Sequence, residues 1–151
     1  MKIALIGCVK TKQSFSCEAE RMYISPLFRK TVEFIKKQKY DKWYILSALY
    51  GLIDNKKIID PYNLALNSFS QKQLRDWSAM IFKSIMDLQL NNLSFLCGER
   101  YCNEYLLSLL DSAGIKYDKP FDKMPMGVRL AFLSSNNKEI KTNHTSFGFF
   151  K

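Results

Sequence analysis

Apolar residues fall into three short unbroken runs, separated by segments in which they recur every three or four positions. Short unbroken runs suit strands covered on both faces, and the longer spacing suits amphipathic helices. Lys2 to Gly7 reads as the first strand, and the polar stretch Cys8 to Glu20 reads as a loop. Ser25 as N-cap and Pro26 at the first helical position predict a helix carrying Leu27, Phe28, Thr31, Val32 and Ile35 on one face. The cations of Lys36-Lys37-Gln38-Lys39 suit its C-terminal dipole. Trp43 to Ala48 is the second strand, and Ile53 to Phe69 reads as a loop. Ser70 with Gln73 forms a capping box for a helix with Leu74, Trp77, Ile81, Ile85 and Leu88 on one face. Leu93 to Cys97 is the third strand. A helix carrying Tyr105, Leu106, Leu109 and Leu110 follows and closes at Gly114. Ile115 to Tyr117 reads as a fourth strand, Pro120 to Pro125 as a loop, and Gly127 to Leu133 as the start of a last helix. The tail 134–151 reads as irregular.

Strands alternating with helices imply right-handed crossovers and a mainly parallel sheet covered on both faces. The expected fold is one three-layer α/β/α domain over residues 1–151. Ligands of such sheets bind outside the carboxyl ends of the strands, so the polar residues there are the ones to inspect.

Charge sharpens that view. The chain has 151 residues and a formal net charge of +9, a surplus that favours polyanions through phosphate neutralisation. A solvated Lys-rich surface would give the same count. No apolar run is long enough to span a membrane, and the first run is too short for a signal peptide, so a cytoplasmic location is expected. Cys8, Cys17, Cys97 and Cys102 contain no C-x-x-C pair. Reduced thiols are expected, with no metal and no cofactor.

The first strand ends in Gly7-Cys8-Val9-Lys10-Thr11-Lys12, which sets a thiol beside ammonium groups. Cys8 and Lys10 are therefore candidate nucleophile or base. Ser47, Tyr50 and Gly51 follow the second strand. Tyr50 and Tyr62 can stack on a base, Asp60 can hold a proton, and Gly51 permits a positive φ. Gly98-Glu99-Arg100-Tyr101 follows the third strand, where a glycine turn can seat phosphate or a ribose oxygen. Gly127 and Arg129 open the last helix, and Arg129 can hold an anion bidentately.

Taken in order, several of these segments resemble a widespread family of small bacterial and phage proteins of unknown function. They are Cys8-x-Lys10, Tyr23-Ile24-Ser25-Pro26-Leu27-Phe28, Ile45 to Leu52, Ile59 to Asn63, Gly98-x-x-Tyr101 and Pro125 to Leu133. Members usually carry Asp where this chain has Asn63, and a Gly-Ile-Gly-like turn where it has Met126-Gly127-Val128. The Leu-Ser-Ala-x-Tyr-Gly-Leu and Pro-Tyr segments also resemble the YaaA peroxide-stress proteins, which bind DNA. The Cys-x-Lys region is distantly similar to domains of archaeosine-synthesis enzymes and their base-exchanging relatives. These resemblances imply a link to nucleic acids and modified nucleobases.

Three functional readings stand. The first is an enzyme that acts on a nucleobase or nucleoside at its N-glycosidic bond. Asp60 or Glu99 would be the carboxylate, and Lys10 and Arg129 would meet phosphate or a base oxygen. Tyr50 and Tyr62 would stack, and Ser25 and Ser47 would position the ring. Tyr23, Asn63, Gly98, Arg100, Tyr101 and Gly127 complete the candidate binding set, and Cys8 has only His144 as an imidazole partner. The second is a DNA- or RNA-binding stress or defence protein without catalysis. The third is a nucleotide or small-molecule sensor.

Overall fold

The computed structural model describes residues 1–142, with side chains through residue 135. Its strands are β1 (Ile3–Gly7), β2 (Cys17–Glu18), β3 (Lys42–Ser47), β4 (Gly51–Asp54), β5 (Ile58–Ile59), β6 (Asn92–Leu96) and β7 (Lys116–Asp118). The helices are α1 (Ala19–Met22), α2 (Pro26–Lys37), α3 (Gln71–Asp87), α4 (Glu104–Ser112) and α5 (Met126–Thr142), with a 3-10 turn at Leu66–Ser68. The main sheet has the order β4-β3-β1-β6-β7. β1 lies at its centre, parallel to both β3 and β6, and β7 is parallel to β6.

All five residues of β1 are buried, as a strand with helices on both sides requires. The chain leaves β1 towards β3 and leaves β6 in the opposite direction, towards β7. Right-handed crossovers then put α2 and α4 on opposite faces. α5 packs against α2, and α3 packs against α4, which completes the two outer layers. Phe34, Phe121 and Phe132 form an aromatic cluster, with ring centroids 6.1 to 6.3 Å apart.

Three segments read as irregular carry structure. β4 runs antiparallel to β3 at the sheet edge. The reversal is made locally: Ser47 Oγ accepts from the Leu49 and Tyr50 amides, and Gly51 adopts φ +77°. A four-residue strand is too short for its periodicity to show. β2 and β5 pair as a separate two-stranded ribbon between the stretches read as loops. The last helix continues past Leu133 to Thr142, into the segment read as irregular tail. His144 lies outside the described residues.

Candidate functional site

β1 and β6 stand side by side, and their following segments diverge, so their carboxyl ends open a crevice at the topological switch point. A cleft of about 1000 Å3 occupies this position. Gly7-Cys8 and Cys97-Gly98 border it from the two strand ends, Leu27 and Phe28 from α2, and Leu66 to Ser68 from the 3-10 turn. Lys10, Lys12, Glu99, Arg100 and Arg129 also line it.

Tyr101 joins the two strand ends. Its hydroxyl donates to the Cys8 carbonyl oxygen at 2.8 Å and lies 3.3 Å from Cys8 Sγ. The ring lies flush on Gly7, where an added Cβ would come within 3.0 Å of its carbons. Trp77 meets the ring edge-on, at 6.2 Å between centroids. Burial, together with the Cys8 side chain, raises the Tyr101 hydroxyl well above its usual range. Tyr101 is therefore a neutral strut that fixes the spacing of the floor.

The cations are placed differently from one another. The Lys12 ammonium sits 4.4 Å from the centroid of the Tyr62 ring and 5.9 Å from that of Tyr23, and donates to the Lys10 carbonyl at 3.3 Å. Burial lowers the Lys12 pKa, with the Cys8 thiol opposing the shift. Arg100 Nη2 donates to the carbonyls of Leu66 (3.0 Å) and Phe69 (2.8 Å), which ties the 3-10 turn to the end of β6. Arg129 Nη2 reaches the Met124 carbonyl at 3.3 Å, and its guanidinium lies 5.4 Å from the Phe121 ring centroid.

Behind Lys12 runs a chain of hydroxyls. Tyr23 Oη meets Tyr62 Oη at 2.7 Å, and Tyr62 Oη meets Ser47 Oγ at 2.8 Å. Trp77 Nε1 donates to the Ser47 carbonyl at 3.0 Å. Tyr50 packs edge-on against Tyr62, and its hydroxyl lies 3.3 Å from both the backbone nitrogen and the backbone oxygen of Asp60. Ser16 donates to the Asp60 carboxylate. Burial raises Tyr23 to about 12 and pushes Tyr62 further in the same direction.

Residues 3–135 match a single family, described as a family of unknown function, DUF6884. The chain belongs to DUF6884. No curated protein matches it.

In this DUF6884 chain the candidate residues divide into two groups. Cys8, Lys10, Asn63, Gly98, Glu99, Arg100, Tyr101 and Arg129 line the cleft. Tyr23, Ser47, Tyr50, Asp60 and Tyr62 build the hydroxyl chain beside it, where Asp60 is engaged by Ser16 and held away from the cleft lining. Ser25 is a helix cap, its Oγ accepting from the Phe28 amide at 3.1 Å. Gly51 belongs to the β3–β4 turn, and its missing Cβ leaves room for Met80 rather than for a ligand. Gly127 is exposed at the start of α5 and lines neither cavity. An added Cβ at Gly98 would meet nothing within 4 Å, so close backbone approach is not what this glycine supplies.

Sequence reasoning missed Lys12 and the 3-10 turn. Lys12 was visible beside Lys10, but only the fold sets it on the tyrosine rings. Leu66-Asn67-Ser68 carries no motif. Arg100, together with the buried Leu66 side chain, holds it at the cleft.

A recess of about 260 Å3 adjoins the cleft and shares Cys97, Gly98, Glu99 and Arg129 with it. Cys97 and Cys102 both line this recess. Burial raises the Cys97 thiol well above its usual value, while hydrogen bonding with Cys97 lowers that of Cys102. Among the described residues, no three His, Cys, Asp or Glu side chains are grouped to hold a metal ion. No described helix is long and apolar enough to cross a membrane.

Proposed function

We propose that this cleft binds a nucleobase-bearing ligand and that the chain breaks or exchanges its N-glycosidic bond, with Glu99 as the carboxylate of the reaction. One observation carries the reading. Among the described residues Glu99 is the only carboxylate lining a cleft that four cations also line. Breaking the bond gives an oxocarbenium-like transition state, which an adjacent carboxylate stabilises. The bonding pair passes to the base nitrogen, which takes a proton from the Lys10 ammonium. In hydrolysis, water adds to the anomeric carbon and gives its proton to Glu99. In exchange, a second base takes the place of water. The Asn63 amide supplies a donor and an acceptor for the base edge, and the half-buried Leu27 offers an apolar surface to the ring. A target within a duplex must first be flipped out of the stack.

The test is release of free base, followed by mass spectrometry, from single- and double-stranded oligonucleotides and from nucleosides with normal and modified bases. Wild-type release, lowered at least about 100-fold in Glu99→Gln and kept in Asp60→Asn, is the expected result. If no substrate yields base but oligonucleotides bind in a salt-sensitive way, the cleft is a binding surface without chemistry. Loss in Asp60→Asn with activity kept in Glu99→Gln would move the reaction out of the cleft.

A further inference from the structure

Arg100 and Arg129 are held in an unusual way. Each guanidinium is fastened to the chain by backbone carbonyls, Leu66 and Phe69 for Arg100 and Met124 for Arg129. No described carboxylate lies within ion-pair distance of either one. A carbonyl orients a guanidinium without neutralising it, so both retain their full charge in half-buried positions. Their donors also outnumber the acceptors that the chain supplies. Among the described residues, the only buried side-chain nitrogen or oxygen atoms without a hydrogen-bond partner are Arg100 Nε and Arg129 Nε. Leaving a buried donor unpaired costs about 1 to 3 kcal/mol, so two such groups on arginines that line one cavity call for a physical reason.

The surface salt bridges offer a contrast. Lys72 pairs with Asp76 and Lys83 with Asp87, each at 2.9 Å on exposed helix faces. Carboxylates are thus spent on lysines that need them least, while the cleft arginines have none. Arg129 also lies where the cleft meets the smaller recess, which Lys119 and Lys123 line as well. Asp122 is 3.9 Å from Lys119, and Lys123 forms no ion pair among the described residues.

We infer that Arg100 and Arg129 form a phosphate subsite, and that the ligand of this cleft is a phosphorylated nucleoside unit rather than a free base or nucleoside. The inference rests on the cleft being a nucleobase site, and adds the group by which the ligand is held. The phosphate would lie beside Arg129, towards the recess, and the base would lie towards Asn63 and Leu27. A guanidinium fork suits phosphate oxygens and keeps its charge at every working pH. A terminal monoester and the diester of a strand share this chemistry.

Calorimetric titration of the full chain tests it with four probes: a nucleoside, its 5′-monophosphate, inorganic phosphate and a short single-stranded oligonucleotide. The monophosphate is expected to bind at least about tenfold more tightly than the nucleoside, with inorganic phosphate competing against it. Arg129→Gln is expected to abolish that preference while leaving nucleoside binding in place. Arg100 also ties down the 3-10 turn, so Arg100→Lys, which keeps the charge but not the fork, serves as the second variant. It is expected to weaken the monophosphate with the thermal midpoint monitored in parallel. Tighter binding of the oligonucleotide than of the monophosphate would assign the phosphate to a strand, and the reverse to a free nucleotide. Equal affinity for nucleoside and monophosphate would overturn the inference, as would a failure of every probe to bind. Phosphate-dependent binding without base release would instead sink the glycosidic reading and leave the subsite standing.

Discussion

At the scale of single residues, the floor of the cleft depends on one hydrogen bond and one missing methyl group. Tyr101→Phe removes the donor to the Cys8 carbonyl and should cost about 1 kcal/mol, read as a shift in the urea midpoint with an unchanged slope. Gly7→Ala sets a Cβ against the same ring at 3.0 Å. The ring is held by Cys8 on one side and Trp77 on the other, so it cannot simply yield. A loss of about 1 to 3 kcal/mol is expected by the same measurement. Alkali should act through the buried phenols. Tyr23 is raised in the folded state to about 12 from a normal 10.0, and Tyr62 and Tyr101 move the same way. The unfolded chain therefore releases these protons first. Stability is complete below the unfolded value, falls as the pH rises from about 10 and is lost through about 12. Phenolate absorbance and circular dichroism followed together should show these tyrosines ionising only as the fold is lost. Early ionisation with intact structure would contradict the burial described.

At the scale of elements, capping separates structural serines from functional ones. Ser25 and Ser70 each cap a helix through their Oγ, and Ser70 does so within a full capping box with Gln73. Ser25→Ala should lower stability by about 1 kcal/mol and leave ligand affinity unchanged, measured by denaturation and titration of the same preparation. A selective loss of affinity would return Ser25 to the site. The helices and parallel strands were legible because their signals are local: Ser-Pro before an apolar face, Ser-x-x-Gln before another, and unbroken apolar runs. β4, β2 and β5 were not, because two to four residues hold too little pattern, and β2 and β5 also pair across a long stretch of chain. The cleft lining was legible where it followed strand ends, as with Cys8, Lys10 and Gly98 to Tyr101. Asp60 and Ser47 lie beside the cleft lining instead of in it, because their place is decided by the β3–β4 turn and the hydroxyl chain behind it.

At the scale of the molecule, the surplus of +9 is spread along the chain, yet the cleft concentrates four cations against one carboxylate. Binding of a single-stranded oligonucleotide should therefore weaken steeply with salt. Log affinity should fall linearly with log salt, with a slope near –0.7 per phosphate contacted. Charge reversal at Lys72 or Lys83, on exposed faces outside the cleft lining, should change that slope less than Lys10→Glu does. The sheet order has a consequence for how the molecule comes into being. Ile3 pairs with both Lys42 and Leu93, so the central strand must wait for two widely separated partners. Pairings so remote in sequence slow folding, because long loops must close before their contacts reward it. During synthesis, β1 and β3 can meet early, but one edge of β1 stays bare until β6 emerges. Since Gly7 and Gly98 flank the crevice from these two strands, no ligand can be captured before β6 has emerged, and the lining is complete only once Arg129 follows. A nascent chain arrested before β6 should therefore capture no ligand, which makes ligand binding a sign that the central strand has gained its second partner.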